Sequence, residues 1–129
     1  MPVVAVVDDC PMDRHIYSAL LEKEGYEVEL YTDGQDFLDH YTPKPGCIVL
    51  NMLMPNMCGW GTLVEMQKRG WNVPVIGNSM DPSYEDLMLR TGAVAFFRSL
   101  DSIGLMDAVE SFAGWCQVAV MNNDTSSST

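Results

Sequence analysis

Short strand-length runs and helix-length segments alternate along this chain, and that alternation restricts the fold more than any other feature of the sequence. Residues 3–7 (Val-Val-Ala-Val-Val) and 47–50 (Cys-Ile-Val-Leu) are apolar runs that stop abruptly at Asp8 and Asn51. Residues 73–77 and 93–97 form two further runs, the first led by Pro74. Residues 26–31 alternate charged and apolar side chains, with Glu27 and Glu29 between Val28 and Leu30. Continuous apolar runs of this length suit strands buried on both faces, whereas the alternating one suits a half-exposed edge.

Between them lie helical spacings. Met12, Ile16, Ala19, Leu20 and Lys23 follow Pro11, which a first helical turn tolerates, and Gly25 closes the segment. Residues 35–41 carry Phe37 and Leu38. Leu63, Val64 and Met66 precede a stop at Gly70. Asp81-Pro82 opens a segment with Leu87 and Met88, closed by Gly92. From near Asp101, Leu105, Met106, Val109, Phe112, Ala113 and Cys116 fall on one arc.

Strands alternating with helices predict an α/β fold, a parallel five-stranded sheet covered on both faces. Right-handed crossovers leave few arrangements. The expectation is a flavodoxin-like (βα)5 three-layer sandwich of strand order 2-1-3-4-5, with the edge-like second strand outermost. Residues 1–121 are expected to form one domain, and residues 122–129, small and polar, a disordered tail.

Charge narrows the function. Seven Lys and Arg stand against 18 Asp and Glu, a formal net charge of -11. No basic stripe offsets it, so direct binding to nucleic acid is not expected. With neither a leader-like start nor a run near the ~20 apolar residues a bilayer requires, a cytoplasmic protein without membrane association is expected. Cys10, Cys47, Cys58 and Cys116 are scattered without a C-x-x-C pair. They read as thiols, Cys47 and Cys116 buried.

The polar residues gather at strand ends: Asp8-Asp9, Asn51, Ser79 and Arg98-Ser99. Ligands of open α/β sheets bind there. Asp9 also suits a plain helix cap before Pro11. Taken together, Val6-Val7-Asp8-Asp9, the stretch 48–55 ending in Pro55, Met57-Cys58-Gly59, Pro74-Val75-Ile76 leading to Ser79, and residues 91–97 resemble the receiver domain of two-component response regulators, most closely receivers of LuxR/FixJ-type regulators. The resemblance spans roughly residues 3–116.

It implies a signalling module, not an enzyme, whose acidic pair binds Mg2+ and whose third strand ends in an aspartate that takes a phosphoryl group from a histidine kinase. Asp8 and Asp9 match the metal-binding pair, the Leu53 backbone carbonyl a further metal ligand, Ser79 the phosphoryl-contacting hydroxyl and Phe96 the switch aromatic. Two positions depart. Asn51 holds the acceptor position, and Ser99 stands where the family has lysine, followed by Leu100 in place of proline.

A carboxamide is a poor nucleophile, because its nitrogen lone pair is delocalised, whereas carboxylates do form aspartyl phosphates. Mg2+ prefers carboxylates, so its binding here should be weak at best and no cofactor is required. Without the lysine a transferring phosphoryl group loses an electrostatic partner. The two losses compensate in charge, the pattern expected of natural drift. A trans Ser99-Leu100 peptide and a rearranged loop follow from losing the proline, since a cis bond before another residue costs ~2.5–4 kcal/mol.

The expected function is therefore that of an atypical pseudo-receiver, working through protein contacts without phosphorylation. Its partner would be a sensor histidine kinase or another regulator. Tyr84, Glu85, Met88, Arg90 and Arg98 would lie on the partner surface, where a homodimer through helix 4, strand 5 and helix 5 is also expected. Two alternatives stand beside this reading. One is inefficient phosphorylation of Asp8 or Asp9. The other, weaker, is a redox or metal module built on Cys10 and Cys58 with Met57 and His15.

Overall fold

In a computed structural model, residues 2–113 are described. Five strands, β1 (Val3–Val7), β2 (Glu27–Tyr31), β3 (Cys47–Asn51), β4 (Val75–Ser79) and β5 (Ala95–Arg98), form one sheet in the order 2-1-3-4-5. Every pairing is parallel. The helices are α1 (Pro11–Lys23), α2 (Gly34–Asp39), α3 (Gly59–Lys68), α4 (Glu85–Thr91), preceded by a 3-10 turn over Pro82–Tyr84, and α5 over residues 102–113. The expected flavodoxin-like architecture is the observed one.

Alternation along the strands divides the core. Ala5, Val7, Ile48, Leu50 and Val75 pack against Phe37, Leu38, Leu63, Met66 and Met88 of α2, α3 and α4. Val4, Val6, Val49, Ile76 and Phe97 meet Tyr17 and Leu21 of α1 and Leu105, Val109 and Ala113 of α5. Burial of both faces is what the unbroken apolar runs require. At the edge, β2 shows Glu27 and Leu30 to solvent.

Two strands sit later than the sequence suggests. β4 begins at Val75, because the Pro74 carbonyl still accepts the Ile48 N–H while proline can donate nothing itself. It runs through Asn78, whose carbonyl accepts the Met52 N–H at 2.9 Å. β5 begins at Ala95, since the Ala93 N–H is used to close α4 on the Met88 carbonyl. Residues 114–129, including Cys116 and the expected tail over 122–129, lie outside the described residues.

A second correction concerns Met88, expected on the partner surface. Its side chain is fully buried beneath β4. Gly77 leaves the room it fills: a Cβ there would stand 2.6 Å from Met88 Sδ. Leu87 and Leu89, each 40% exposed, occupy the outward positions of α4 instead.

Gly59 opens α3 hard against the end of β3, where a Cβ would overlap the Asn51 carbonyl oxygen. Backbone cannot yield as a flexible side chain can. Gly59→Ala should therefore lower the stability measured by urea unfolding by about 1–3 kcal/mol. Gly61→Ala, two positions along the same helix and meeting only ordinary contacts, should raise it by about 0.5 kcal/mol through better helix propensity.

Candidate functional site

The carboxyl ends of β1, β3, β4 and β5 meet in one polar pocket. Backbone bonds continue the ladder past each strand: Asp8 N–H to the Tyr31 carbonyl at 3.2 Å, Met52 N–H to Asn78 at 2.9 Å, and Ser99 N–H to Ser79 at 3.0 Å. Val4 and Val6, Val49, Ile76 and Phe97 all belong to the α1/α5 side of the core. The strand period of two gives the same parity to Asp8, Asn51, Asn78 and Ser99.

Asp8 and Asp9, neighbours in sequence, occupy opposite environments. Asp8 is 1% exposed. Its Oδ1 accepts the Cys10 N–H at 2.9 Å, while its Oδ2 is buried without a hydrogen-bond partner. Arg14 reaches only the Asp8 backbone carbonyl, at 2.6 Å. Burial therefore pushes the Asp8 carboxyl up to about 6, opposed by the Cys10 N–H and reinforced by Asp13 and Asp9. Asp9 is exposed. It does not cap α1, whose N-cap is Cys10.

Asn51, half-buried, turns its amide nitrogen toward Asp9 Oδ1 at 3.3 Å and the Leu53 carbonyl at 3.0 Å. Both neighbours can only accept, so the flipped amide would set oxygen against two oxygens. Mg2+ needs oxygen ligands converging on a common centre. Of the set implied by the resemblance, Asn51 offers N–H in place of oxygen, and its bonds occupy Asp9 Oδ1 and the Leu53 carbonyl. As arranged, the residues do not fit the ion.

Ser99 is buried and its hydroxyl donates to Asn78 Oδ1 at 2.8 Å. Asn78 is fully buried, and its Nδ2 has no partner. A hydroxyl and a carboxamide thus meet in the interior at the position where the family places lysine. The Ser99-Leu100 peptide is trans, as expected. Leu100 itself takes the left-handed conformation, with φ of 70°, an uncommon state for a residue with a Cβ. Its N–H donates to the Tyr17 hydroxyl at 2.9 Å, and burial pushes that hydroxyl up to about 12.

Ser79 is buried and its oxygen accepts the Asp81 N–H at 3.1 Å. Phe96 lies half-buried on the α4 side, packed against the cluster containing Met88. Tyr84 is half-buried, whereas Glu85, Arg90 and Arg98 are exposed, Arg90 pairing with Asp86 at 3.0 Å. Cys58 Sγ accepts the Gly61 N–H and caps α3, and His15 is exposed on α1. Among the described residues, no group of three or more His, Cys, Asp and Glu is placed to hold a metal ion.

Sequence reading missed three participants: Asn78, Tyr17 and Arg14. Asn78 carried the only available signal, a polar residue continuing an apolar run. Gly77 before it looked like the end of the strand.

Residues 4–98 match the profile of the response regulator receiver domain. The chain belongs to that family and is a receiver of two-component signalling. The transcriptional regulatory protein FixJ of Azorhizobium caulinodans is 33% identical over 116 residues, covering 86% of this chain and 54% of that protein. The sensor histidine kinase RcsC of Salmonella typhimurium is 33% identical over 76 residues, 58% of this chain and 8% of the kinase. The chain thus spans about half or less of the curated relatives it matches.

Among solved structures, the response regulator StyR is 26% identical with a TM-score of 0.84, covering 98% of this chain and 66% of that one. The Thermotoga maritima regulator TrrA in complex with Mg2+-BeF is 23% identical with a TM-score of 0.79, covering 87% and 99%. The latter likeness is one of fold. Among the described residues, no helix is long and apolar enough to cross a membrane.

Two measurements test the pocket's energetics. Asp8 holds its proton more tightly folded than unfolded, so its contribution to stability is full below the ordinary value of 3.8 and is lost as pH rises toward about 6. Relative to wild type, Asp8→Asn should become more stable across that window by roughly 2–3 kcal/mol, with a flat difference above it, in urea titrations at stepped pH. Ser99→Ala should cost about 1–3 kcal/mol by leaving Asn78 Oδ1 buried and unpaired. Adding Asn78→Leu should recover most of that loss.

Proposed function

We propose that this receiver is an atypical, non-enzymatic pseudo-receiver that acts through protein–protein contacts without being phosphorylated. The carrying observation is Asn51: the residue at the end of β3, where the family holds its phosphoryl acceptor, is a neutral carboxamide engaged by Asp9 and Leu53. Its nitrogen is no nucleophile toward phosphorus, and Ser99 holds the position of the lysine that steadies the charge of a phosphoryl group in the family.

The surrounding carboxylates support the same reading. Asp8 is buried and its one backbone partner, Cys10, is already placed. Asp9 is exposed but bonded to the Asn51 amide. The function left to the fold is recognition, in the cytoplasm, of a protein such as a sensor histidine kinase or another regulator, with no cofactor required. Glu85, Arg90 and Arg98 with Tyr84 remain the outward surface of α4 and β5 for such a partner or a second copy.

Incubating the protein with acetyl phosphate and Mg2+, then weighing the intact chain, tests the proposal directly. Wild type should gain no phosphoryl mass. The Asn51→Asp/Ser99→Lys double variant should gain one, and lose it in base. A base-labile phosphoryl adduct on the wild-type protein would sink the reading in favour of Asp8 or Asp9 as acceptor.

A further inference from the structure

We infer that the Asn51 amide is a built-in substitute for the divalent cation: it blocks the family's metal site rather than merely weakening it. This is a claim about the free pocket, independent of whether any phosphoryl transfer occurs. A cation in a receiver pocket would draw together oxygens that otherwise repel. Here the two N–H bonds of one carboxamide do that work, one on the Asp9 carboxylate and one on the Leu53 carbonyl.

Two features of the surroundings fix the amide in this role. The backbone behind it is held, since the Met52 N–H is bonded to Asn78 and the Gly59 N–H to the Met52 carbonyl at 2.8 Å. Gly59 also packs directly on the Asn51 carbonyl. Turning the amide oxygen toward an ion breaks both bonds, so an ion must compete with the amide for Asp9 and Leu53. Beside this site, Asp8 Oδ2 is buried without a partner. Mg2+ that keeps its waters still draws on one or two carboxylates, and the exposed one, Asp9, is held by the amide.

Blocking differs from simple loss of a ligand in what alanine does. If Asn51 were only a weaker ligand than aspartate, removing its side chain would leave Mg2+ binding unchanged or poorer. If the amide holds the ion's place, Asn51→Ala frees Asp9 and Leu53, and Mg2+ with its own waters should bind more tightly than to wild type.

The test is a Mg2+ titration of uniformly 15N-labelled wild type, Asn51→Ala and Asn51→Asp, read by amide chemical shifts at residues 8–10 and 51–54 and by thermal midpoint. Wild type should show no saturable shift through the millimolar range and no change in midpoint. Its Asn51 side-chain NH2 should exchange slowly, as a doubly bonded amide. Asn51→Ala should show saturable shifts with an affinity at least about tenfold above wild type, and Asn51→Asp tighter still, with a midpoint that Mg2+ raises. Wild-type shifts that saturate as readily as those of Asn51→Ala would overturn the inference, as would an Asn51→Ala protein no more responsive than wild type. Either result leaves the acetyl phosphate outcome untouched.

Discussion

Parallel strands buried on both faces can carry polar side chains only where their helical cover ends, and that limit organises this molecule. Each of β1, β3, β4 and β5 starts apolar, and polar residues stand at or just past its carboxyl end: Asp8, Asn51, Asn78-Ser79 and Arg98-Ser99. Parallel pairing brings those ends to one end of the sheet. β1 and β3, far apart in sequence, become neighbours in the middle of the sheet. Asp9 and Asn51, 42 residues apart, then touch. No local interaction could have joined them.

Within that frame the pocket is settled by hydrogen bonding more than by charge. A receiver that uses its chemistry must keep like-charged oxygens close and wait for a cation. In this pocket amides stand among the oxygens: Asn51 against Asp9 and Leu53, and Asn78 against Ser99. The pairing is incomplete, because Asp8 Oδ2 and Asn78 Nδ2 remain buried and unpartnered. Thr42 Oγ1 shares that state elsewhere, and the two atoms at the strand ends both lie on the α1/α5 side of the sheet by strand parity.

The fold was legible because its signals are periodic and long. Unbroken apolar strands, helical spacings and glycine stops agree with one another, and agreement across levels leaves few alternatives. The site was legible where a polar residue ended an apolar run, as at Asp8, Asn51, Ser79 and Ser99. It was not legible where the outcome turned on a partner. Spacing placed Met88 on α4 but could not tell that Gly77 would leave a hollow beneath it. Nor could two consecutive aspartates announce that one would be 1% exposed and the other solvated, a difference made where the chain leaves β1 and bends at Asp9. Asn78 was hidden by its neighbour, since a glycine that suggests the end of a strand here only admits a methionine.

Tyr17 carries a consequence for how the chain comes to be made. Its ring is wholly buried against Phe97, edge to face at 5.9 Å, and its hydroxyl finds the Leu100 N–H, 83 residues further along. During synthesis from the N-terminus, α1 and the first three strands emerge with that hydroxyl still lacking its native donor. The native cover of Tyr17 is in place only once Phe97 of β5 and Leu100 just beyond it have docked. A single phenol thus ties the completion of the first helix to the arrival of the last strand.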